Sequence, residues 1–257
     1  MLAEERKKLI CELTNEKKAV RITELSQRFN VTHATIRRDL DELQNENKLR
    51  RTHGGAVALY PVAIDYVISE LSQVNLDKKQ RIAAKAYDTI FDNDTILMDG
   101  SSTVLELCRL IAAGDRKRLI VLTNALSVST LLAGKEGVTV IIIGGEVKYH
   151  INSAVGKIAE RTLRDIRVDK TYIGVNGIDL EYGYSITNFD EAAVKKAMIK
   201  CAKQAFVLAD HSKFGRSYLA KVAEPEGEID YLITDSRQAE FDWEALQEKV
   251  NLITTDD

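Results

Sequence analysis

The chain holds little cysteine: Cys11, Cys108 and Cys201 are odd in number, lie far apart and form no C-x-x-C pair. That excludes a disulfide framework, offers no zinc spacing and suits a reducing compartment. No two of the four histidines stand at a metal-ligand spacing either, so no metal site is expected. Long apolar runs are also missing. The longest, such as Val138-Thr139-Val140-Ile141-Ile142-Ile143, have the length of a strand and fall far short of a membrane span. The opening Met1-Leu2-Ala3-Glu4-Glu5 turns charged at once, without the apolar core of a signal peptide. Internal repeats and low-complexity tracts are absent. The expectation is a cytoplasmic protein with no membrane association.

What is present suffices for a sizeable core, because 45% of the 257 residues are hydrophobic, and the length allows one large domain or two smaller ones. Charge favours two. Residues 1–60 carry 12 Lys+Arg against 9 Asp+Glu, and the remainder carries 24 against 30. A basic head on an acidic body suits a head that meets phosphate and a body that does not.

The head is organised around residues 32–43. Val31, Ile36, Leu40 and Leu43 recur at intervals of three to five, a buried stripe on a helix, and Thr32 stands where its N-cap belongs. His33, Thr35, Arg37 and Arg38 are left on the outer or flanking surface near the helix N-terminus, the end that enters a DNA groove in helix-turn-helix proteins. Alone, such a face is more often merely solvated. Two further helices precede it: residues 3–15, with Ile10 and Leu13, and a segment carrying Ile22, Leu25 and Phe29 with Thr23 as its expected cap. Asn30-Val31 makes a tight break. Behind the third helix, Lys48-Leu49-Arg50-Arg51-Thr52-His53-Gly54-Gly55-Ala56-Val57 leads a basic segment into a Gly-Gly turn, which predicts a two-stranded wing. The glycines would also let backbone N–H groups approach a phosphate. Three helices and a basic hairpin in sixty residues point to DNA binding. Arg37 and Arg38 project about 100° apart, so one is expected on a base edge and one on phosphate. His33 and Thr35 are placed to reach bases or backbone, and Lys48, Arg50, Arg51 and His53 to clamp phosphates. Asp39, Asp41 and Glu42 should face away from DNA.

The pattern Thr35-Ile36-Arg37-Arg38-Asp39-Leu40 followed by Arg51-Thr52-His53-Gly54-Gly55-Ala56 resembles the winged helix-turn-helix of the DeoR family of bacterial transcription regulators, and the resemblance extends over essentially the whole chain. It implies a repressor, usually of a sugar catabolic operon, relieved by a phosphorylated sugar.

Three regions follow: 1–58 as the winged helix-turn-helix, 59–76 as a linker containing Pro61, and 77–257 as an α/β body. A helix over 78–91 leads to a strand at 95–98. Further strands are expected at 119–123, 138–143, 171–175, 205–209, 231–234 and 252–254, mostly separated by helical segments, which predicts a mostly parallel, doubly wound α/β sheet. The body resembles the DeoR-family sensor domain, itself similar to the ribose-phosphate isomerase and CoA-transferase group of folds.

Ligands of such sheets bind beyond the carboxyl ends of strands. There the sequence places Asp99-Gly100-Ser101-Ser102-Thr103 opening a helix, then Thr123-Asn124, Gly144-Gly145 and Asn176. Thr187 and Glu191 stand at the start of another helix with Lys195 one turn on, and Asp210 and Lys213 follow a later strand. Each alone has an ordinary reading; Gly-Gly is usually a turn, and Glu191 with Lys195 has the spacing of a helix-surface pair. Together they suit an anion at a helix N-terminus, with Ser101, Ser102 and Thr103 for a phosphate. Asp99, Asn124, Glu191 and Asp210 suit sugar hydroxyls, and Lys213 suits either. Tyr149, Lys157, Tyr184, Ile186 and Phe189 are candidate pocket walls. Within the family, Ser102-Thr103-Val104-Leu105 and Ser212-Lys213-Phe214-Gly215-Arg216 lean toward polyol-phosphate members.

The competing class is a sugar-phosphate isomerase with an appended DNA-binding domain. The isomerases carry a paired-aspartate stretch where this chain reads Gly174-Val175-Asn176-Gly177-Ile178, so no catalytic residue is assigned, although Glu191 lies near the place of a catalytic glutamate. A purely architectural DNA binder is the third class and needs no pocket. His150 and His211 read as loop surface. The expectation is a repressor without cofactor, with double-stranded operator DNA, a phosphorylated sugar or polyol as effector, and a homo-oligomer, dimer or tetramer, as partners.

Overall fold

The computed structural model describes residues 3–17, 19–46, 48–52, 54–57, 73–148 and 151–255. The chain divides into two compact units, Met1–Val62 and Ala63–Asp257.

The first unit runs α1 (Ala3–Lys17), β1 (Ala19–Arg21), α2 (Ile22–Phe29), α3 (His33–Asn45), β2 (Arg50–Thr52) and β3 (Gly55–Val57). Ile10, Leu25, Ile36, Leu40, Leu43 and Leu49 are at most 1% exposed and form its core. Val31, counted in the inner stripe, is only partly buried against it. Thr32 caps α3, its hydroxyl accepting from Thr35 N at 3.2 Å, and Asn30 ends α2 in the left-handed region at φ 51°. The expected cap of α2 is displaced: Thr23 lies inside the helix and Arg21 is the N-cap residue, with no side-chain cap bond. Instead, Ile22 N donates to Gly54 O at 3.0 Å, so the wing satisfies the helix end. The wing has three strands, ordered β1-β3-β2. Gly55 is required by this pairing, because a Cβ there would meet Val20 O at 1.9 Å.

The second unit carries α4 (Leu76–Asp88), β4 (Thr95–Met98), α5 (Ser102–Ala113), β5 (Leu119–Thr123), α6 (Leu126–Leu132), β6 (Val138–Ile142), β7 (Glu146–Lys148), β8 (Ser153–Val155) and α7 (Lys157–Arg164). It continues with β9 (Val168–Ile173), β10 (Gly177–Asp179), β11 (Gly183–Ile186), α8 (Phe189–Cys201), β12 (Ala202–Leu208), a 3-10 turn (His211–Lys213), β13 (Ala220–Ala223), β14 (Tyr231–Thr234), α9 (Trp243–Gln247) and β15 (Asn251–Thr254). Seven strands form one sheet, ordered β15-β14-β12-β9-β4-β5-β6, with every adjacent pair parallel. Strand alternation divides the core in two. Ile96, Met98, Val121, Tyr172 and Phe206 belong to one apolar cluster, which also takes in Ile82 and Val104 from α4 and α5. Leu97, Leu122, Ile173 and Val207 belong to the other, with Leu163, Met198 and Leu246 from α7, α8 and α9. Helices therefore cover both faces, as a buried parallel sheet requires.

Strands β4, β5 and β14 keep their predicted bounds, while β9 and β12 begin three residues earlier than predicted. The first helix of this unit starts at Leu76 and stops at Asp88 rather than running to Phe91, as Thr89 folds its hydroxyl back onto Ala86 O at 2.6 Å. Two small antiparallel sheets, β7-β8 and β10-β11-β13, were not predicted. The order of connections reverses at β4: the chain proceeds outward through β5 and β6, then returns to β9 on the other side. The crevice at such a reversal, beyond the carboxyl ends of β4 and β9, is where doubly wound sheets hold ligands.

Candidate functional site

In the first unit, α3 presents His33, Arg37 and Arg38 to solvent. Arg37 has no ion partner among the described residues, whereas Arg38, 84% exposed, donates to Glu42 at 3.1 Å one turn on. Thr35 is half-buried and its hydroxyl meets that of Thr32 at 2.9 Å. In and before the wing, Lys48 pairs with Glu46 at 2.7 Å. Arg51 pairs with Asp41 and takes Gln44 Oε1 onto its backbone N–H at 2.8 Å. Arg50 lies on β2, and His53 falls outside the described residues.

The acidic residues of α3 have structural partners. Asp39 is 4% exposed and bound by Arg6 through Nε at 2.6 Å and Nη2 at 3.0 Å, fixing α1 to α3. Glu42 takes Lys7 at 3.1 Å as well as Arg38. With these charges neutralised, Arg37 stands on the outer face without an ion partner among the described residues.

In the second unit, the loop after β4 is built around Asp99, 2% exposed. Its Oδ1 accepts Ser101 N at 2.9 Å, and its Oδ2 accepts Gly174 N at 2.8 Å and pairs with the Lys195 ammonium. Lys195 also reaches Glu191 at 3.2 Å. Burial lowers the Lys195 pKa, but Asp99 and Glu191 together outweigh it and hold the value above the ordinary one. Glu191 is fixed in turn by Asn188, which caps α8 by accepting Glu191 N at 3.0 Å. One carboxylate thus joins the exits of β4 and β9 to the first turns of α8.

The N-terminus of α5 has no side-chain cap. Ser101 is its N-cap residue but makes no side-chain cap bond, and its Oγ is buried without a partner. Gly174 faces this hydroxyl so closely that a Cβ would lie 2.4 Å from Ser101 Oγ. Ser102 and Thr103 form the first turn, where main-chain N–H groups lack intrahelical acceptors. On the other flank, Asn124, 3% exposed, donates through Nδ2 to Ala154 O at 2.8 Å, while its Oδ1 is buried and unpaired. Free main-chain donors, a free hydroxyl and a free amide oxygen therefore occur around the exits of β4 and β5. These groups match a phosphate and a neighbouring hydroxyl.

Beyond β12, Asp210 is 1% exposed and accepts Ser212 N at 2.9 Å and Asn75 Nδ2 at 3.1 Å. Burial raises its pKa, but Lys213, Ser212 and Lys79 more than offset this and leave it below the usual carboxylate value. Lys79 of α4, 3% exposed, is pushed below the ordinary lysine value, chiefly by burial and also by Lys213, against the opposing pull of Asp210 and Glu106. His211, expected on loop surface, instead bonds through Nδ1 to Asp235 Oδ2 at 2.8 Å, with Asp235 1% exposed. Lys79 and Asp235 were missed. Asp235 follows β14 as Asp210 follows β12, so the strand-end rule reaches it; Lys79 reads as an ordinary helix lysine.

The other expected residues divide. The Thr123 hydroxyl donates to Met98 O at 2.8 Å and accepts Ala125 N at 3.0 Å, holding the strand ends together. Gly100 and Gly145 are packing positions, where a Cβ would meet Ser153 Oγ at 2.4 Å and Val155 O at 2.6 Å, while Gly144 faces open space. Asn176 joins β11 through its N–H, donated to Ser185 O at 2.9 Å, and half-buried Thr187 precedes the Asn188 cap. Tyr184 and Ile186, expected as pocket walls, are 1% exposed in the core; Phe189 is 65% exposed at the start of α8. Lys157 pairs with Glu160 at 3.1 Å, and Tyr149 and His150 fall outside the described residues. Among the described residues no cluster of His, Cys, Asp or Glu could hold a metal ion, and no helix is long and apolar enough to cross a membrane.

Comparison with known proteins matches both units. Residues 6–61 fit the model of the DeoR-like helix-turn-helix domain and residues 74–236 that of the DeoR C-terminal sensor domain. An uncharacterized HTH-type transcriptional regulator of Bacillus subtilis, YulB, is 35% identical over 99% of this chain and 97% of its own. The glycerol-3-phosphate regulon repressor of Escherichia coli is 30% identical over 83% of each chain. Among solved structures, ribose 5-phosphate isomerase A of Methanocaldococcus jannaschii aligns with a TM-score of 0.41 at 16% identity, over 55% of each chain.

Proposed function

Starting from the chain's membership of the DeoR family of transcriptional regulators, we propose that it represses a carbohydrate catabolic operon and that a phosphorylated sugar or polyol bound in its C-terminal unit controls it. The family makes the chain a DNA-binding regulator rather than an enzyme. The observation that carries the effector assignment is the uncapped N-terminus of α5, where Ser101 makes no side-chain cap bond and its buried hydroxyl has no partner. In this reading the phosphate lies on the N–H groups of Ser102 and Thr103 and on Ser101 Oγ, favoured by the helix dipole. The remaining hydroxyls reach toward Asn124 Oδ1 on one side and the Asp210–Lys213 group on the other. Glu191, partly exposed and already held by Lys195, is the carboxylate placed to read a hydroxyl.

The relative from Escherichia coli is named for glycerol-3-phosphate, and the Ser102–Leu105 and Ser212–Arg216 stretches lean the same way, so polyol phosphates head the candidates. Control works by linkage: an effector that prefers the non-DNA-binding arrangement weakens operator binding by a coupling energy of about 1–3 kcal/mol, and the operator weakens effector binding equally. Two heads act together, because one short helix reads too few bases, and half-sites then lie about 34 Å apart or at multiples of that spacing. A thermal-shift screen of sugar and polyol phosphates, each against its dephosphorylated parent, tests the reading. Stabilisation by a phosphorylated member and not by its parent is expected; equal response to both contradicts it.

A further inference from the structure

We infer that β6 is a self-pairing edge, at which two copies of this chain join their sheets antiparallel across a two-fold axis through Val140. The strand ends the seven-stranded sheet, and among the described residues no strand pairs with its outer side. Ile141 and Ile142 are 45% and 47% exposed, and Ile120 on β5 adds 37%. Register places Ile120 beside Thr139 and Leu122 beside Ile141, so Ile120, Thr139 and Ile141 lie on one face. Exposed edges are normally blunted by a lysine, proline or bulge, and β6 has none of these.

The main chain fixes which groups are on offer. Leu119 N donates to Gly137 O at 3.0 Å and Ile143 N to Thr123 O at 2.7 Å. Residues 137, 139, 141 and 143 therefore turn their polar groups toward β5, and Val138, Val140 and Ile142 turn theirs outward. Val138 N is taken up by Lys135 O at 3.2 Å. The outer edge thus offers Val138 O and the N–H and C=O of Val140 and Ile142. Centred on Val140, an antiparallel copy uses all of them but the Ile142 C=O: Val140 exchanges two bonds with its twin, and each Ile142 N–H meets the other chain's Val138 O.

A second copy is the occupant because the strand is uncharged and every residue in it is β-branched. No register then opposes like charges, and a basic or acidic partner finds nothing to complement. Thr139 of each chain comes opposite Ile141 of the other in the non-hydrogen-bonded pairs. The inference rests on the reading above that two heads read the operator.

The full chain is sedimented without DNA as wild type, Val140→Pro and Ile142→Lys, and Thr139→Cys/Ile141→Cys is oxidised beside Thr139→Cys alone. Proline at 140 removes an outward donor and leaves the bonds to β5 in place. The wild type is expected as an even assembly, both single variants at half its mass with unchanged helix content, and the double cysteine variant as a covalent dimer that Thr139→Cys alone does not give. A monomeric wild type, single variants of wild-type mass, or a double variant that stays uncrosslinked overturns the inference. If a single variant unfolds, the crosslink decides. Failure of the wild type to bind any operator counts against the functional reading alone, since mass and crosslink are read without DNA.

Discussion

Lys195 and Asp99 form an ion pair in which each side chain is only 3% exposed, linking α8 to the loop that opens α5. Removing one partner of a buried pair leaves a charge without its counter-ion and costs about 3–5 kcal/mol. Asp99 keeps two backbone donors, from Ser101 and Gly174, so Lys195→Met should fall near the low end of that range in urea denaturation. Adding Asp99→Asn should recover much of the loss. Additive losses in the double variant would contradict the pairing.

Ser101 gives the opposite expectation. Its hydroxyl is buried and unpartnered, so Ser101→Ala should leave stability unchanged within about 0.5 kcal/mol or raise it slightly. Effector affinity should fall by about one hydrogen bond to a charged group, roughly 1.5–3 kcal/mol. Calorimetry with the ligand found in the screen reads both quantities, and unchanged affinity would remove the hydroxyl from the phosphate site.

Gly174→Ala should disturb the same place by crowding, since the added methyl meets Ser101 Oγ and Cβ at 2.4 and 2.5 Å. A cost of about 1–3 kcal/mol is expected, together with loss of the effector response while operator binding persists. A gel shift with and without effector distinguishes this from general unfolding, which would abolish both.

The site was legible in the sequence only where chemistry and position coincide. The strand-end rule reached Asp99, Ser101 and Asp210 because the short apolar runs before them, 95–98 and 205–209, mark β4 and β12. Lys195 was placed in the correct helix among the candidate effector residues, but its i,i+4 spacing to Glu191, which also suits a surface pair, does not say that it turns inward onto Asp99. Asp39 shows the same limit: it was expected merely to avoid DNA, and its salt bridge to Arg6 spans 33 residues. Strands β1, β7, β8, β10, β11 and β13 have three or four residues each. Their identity comes from tertiary pairing rather than from a pattern of their own.

The two arginines of α3 should differ. Arg37 is free to meet DNA, whereas Arg38 must first leave Glu42. Arg37→Ala should cost about 1–3 kcal/mol in operator binding. Glu42→Gln should strengthen binding modestly at low salt, by releasing Arg38 and removing a negative charge. Equal affinity of wild type and Arg37→Ala in a gel shift would contradict the assignment.

Asp210 supplies a pH dependence. Its carboxyl lies below the ordinary 3.8 in the folded chain. The stability it contributes is therefore present above that value and is lost as pH falls through it toward the lower folded pKa. Thermal melts of Asp210→Asn should lose part of the acid sensitivity that the wild type shows below about pH 4; identical pH profiles would mean that the carboxylate contributes nothing.

The most direct test of effector control is fluorescence anisotropy of the wild-type protein on labelled operator DNA during titration with a polyol phosphate and its unphosphorylated parent, repeated with Ser101→Ala. The phosphate ester is expected to release the wild-type protein and the parent is not, and Ser101→Ala should require at least ten times more ester. Release by neither compound, nor by any other sugar phosphate, would contradict effector control.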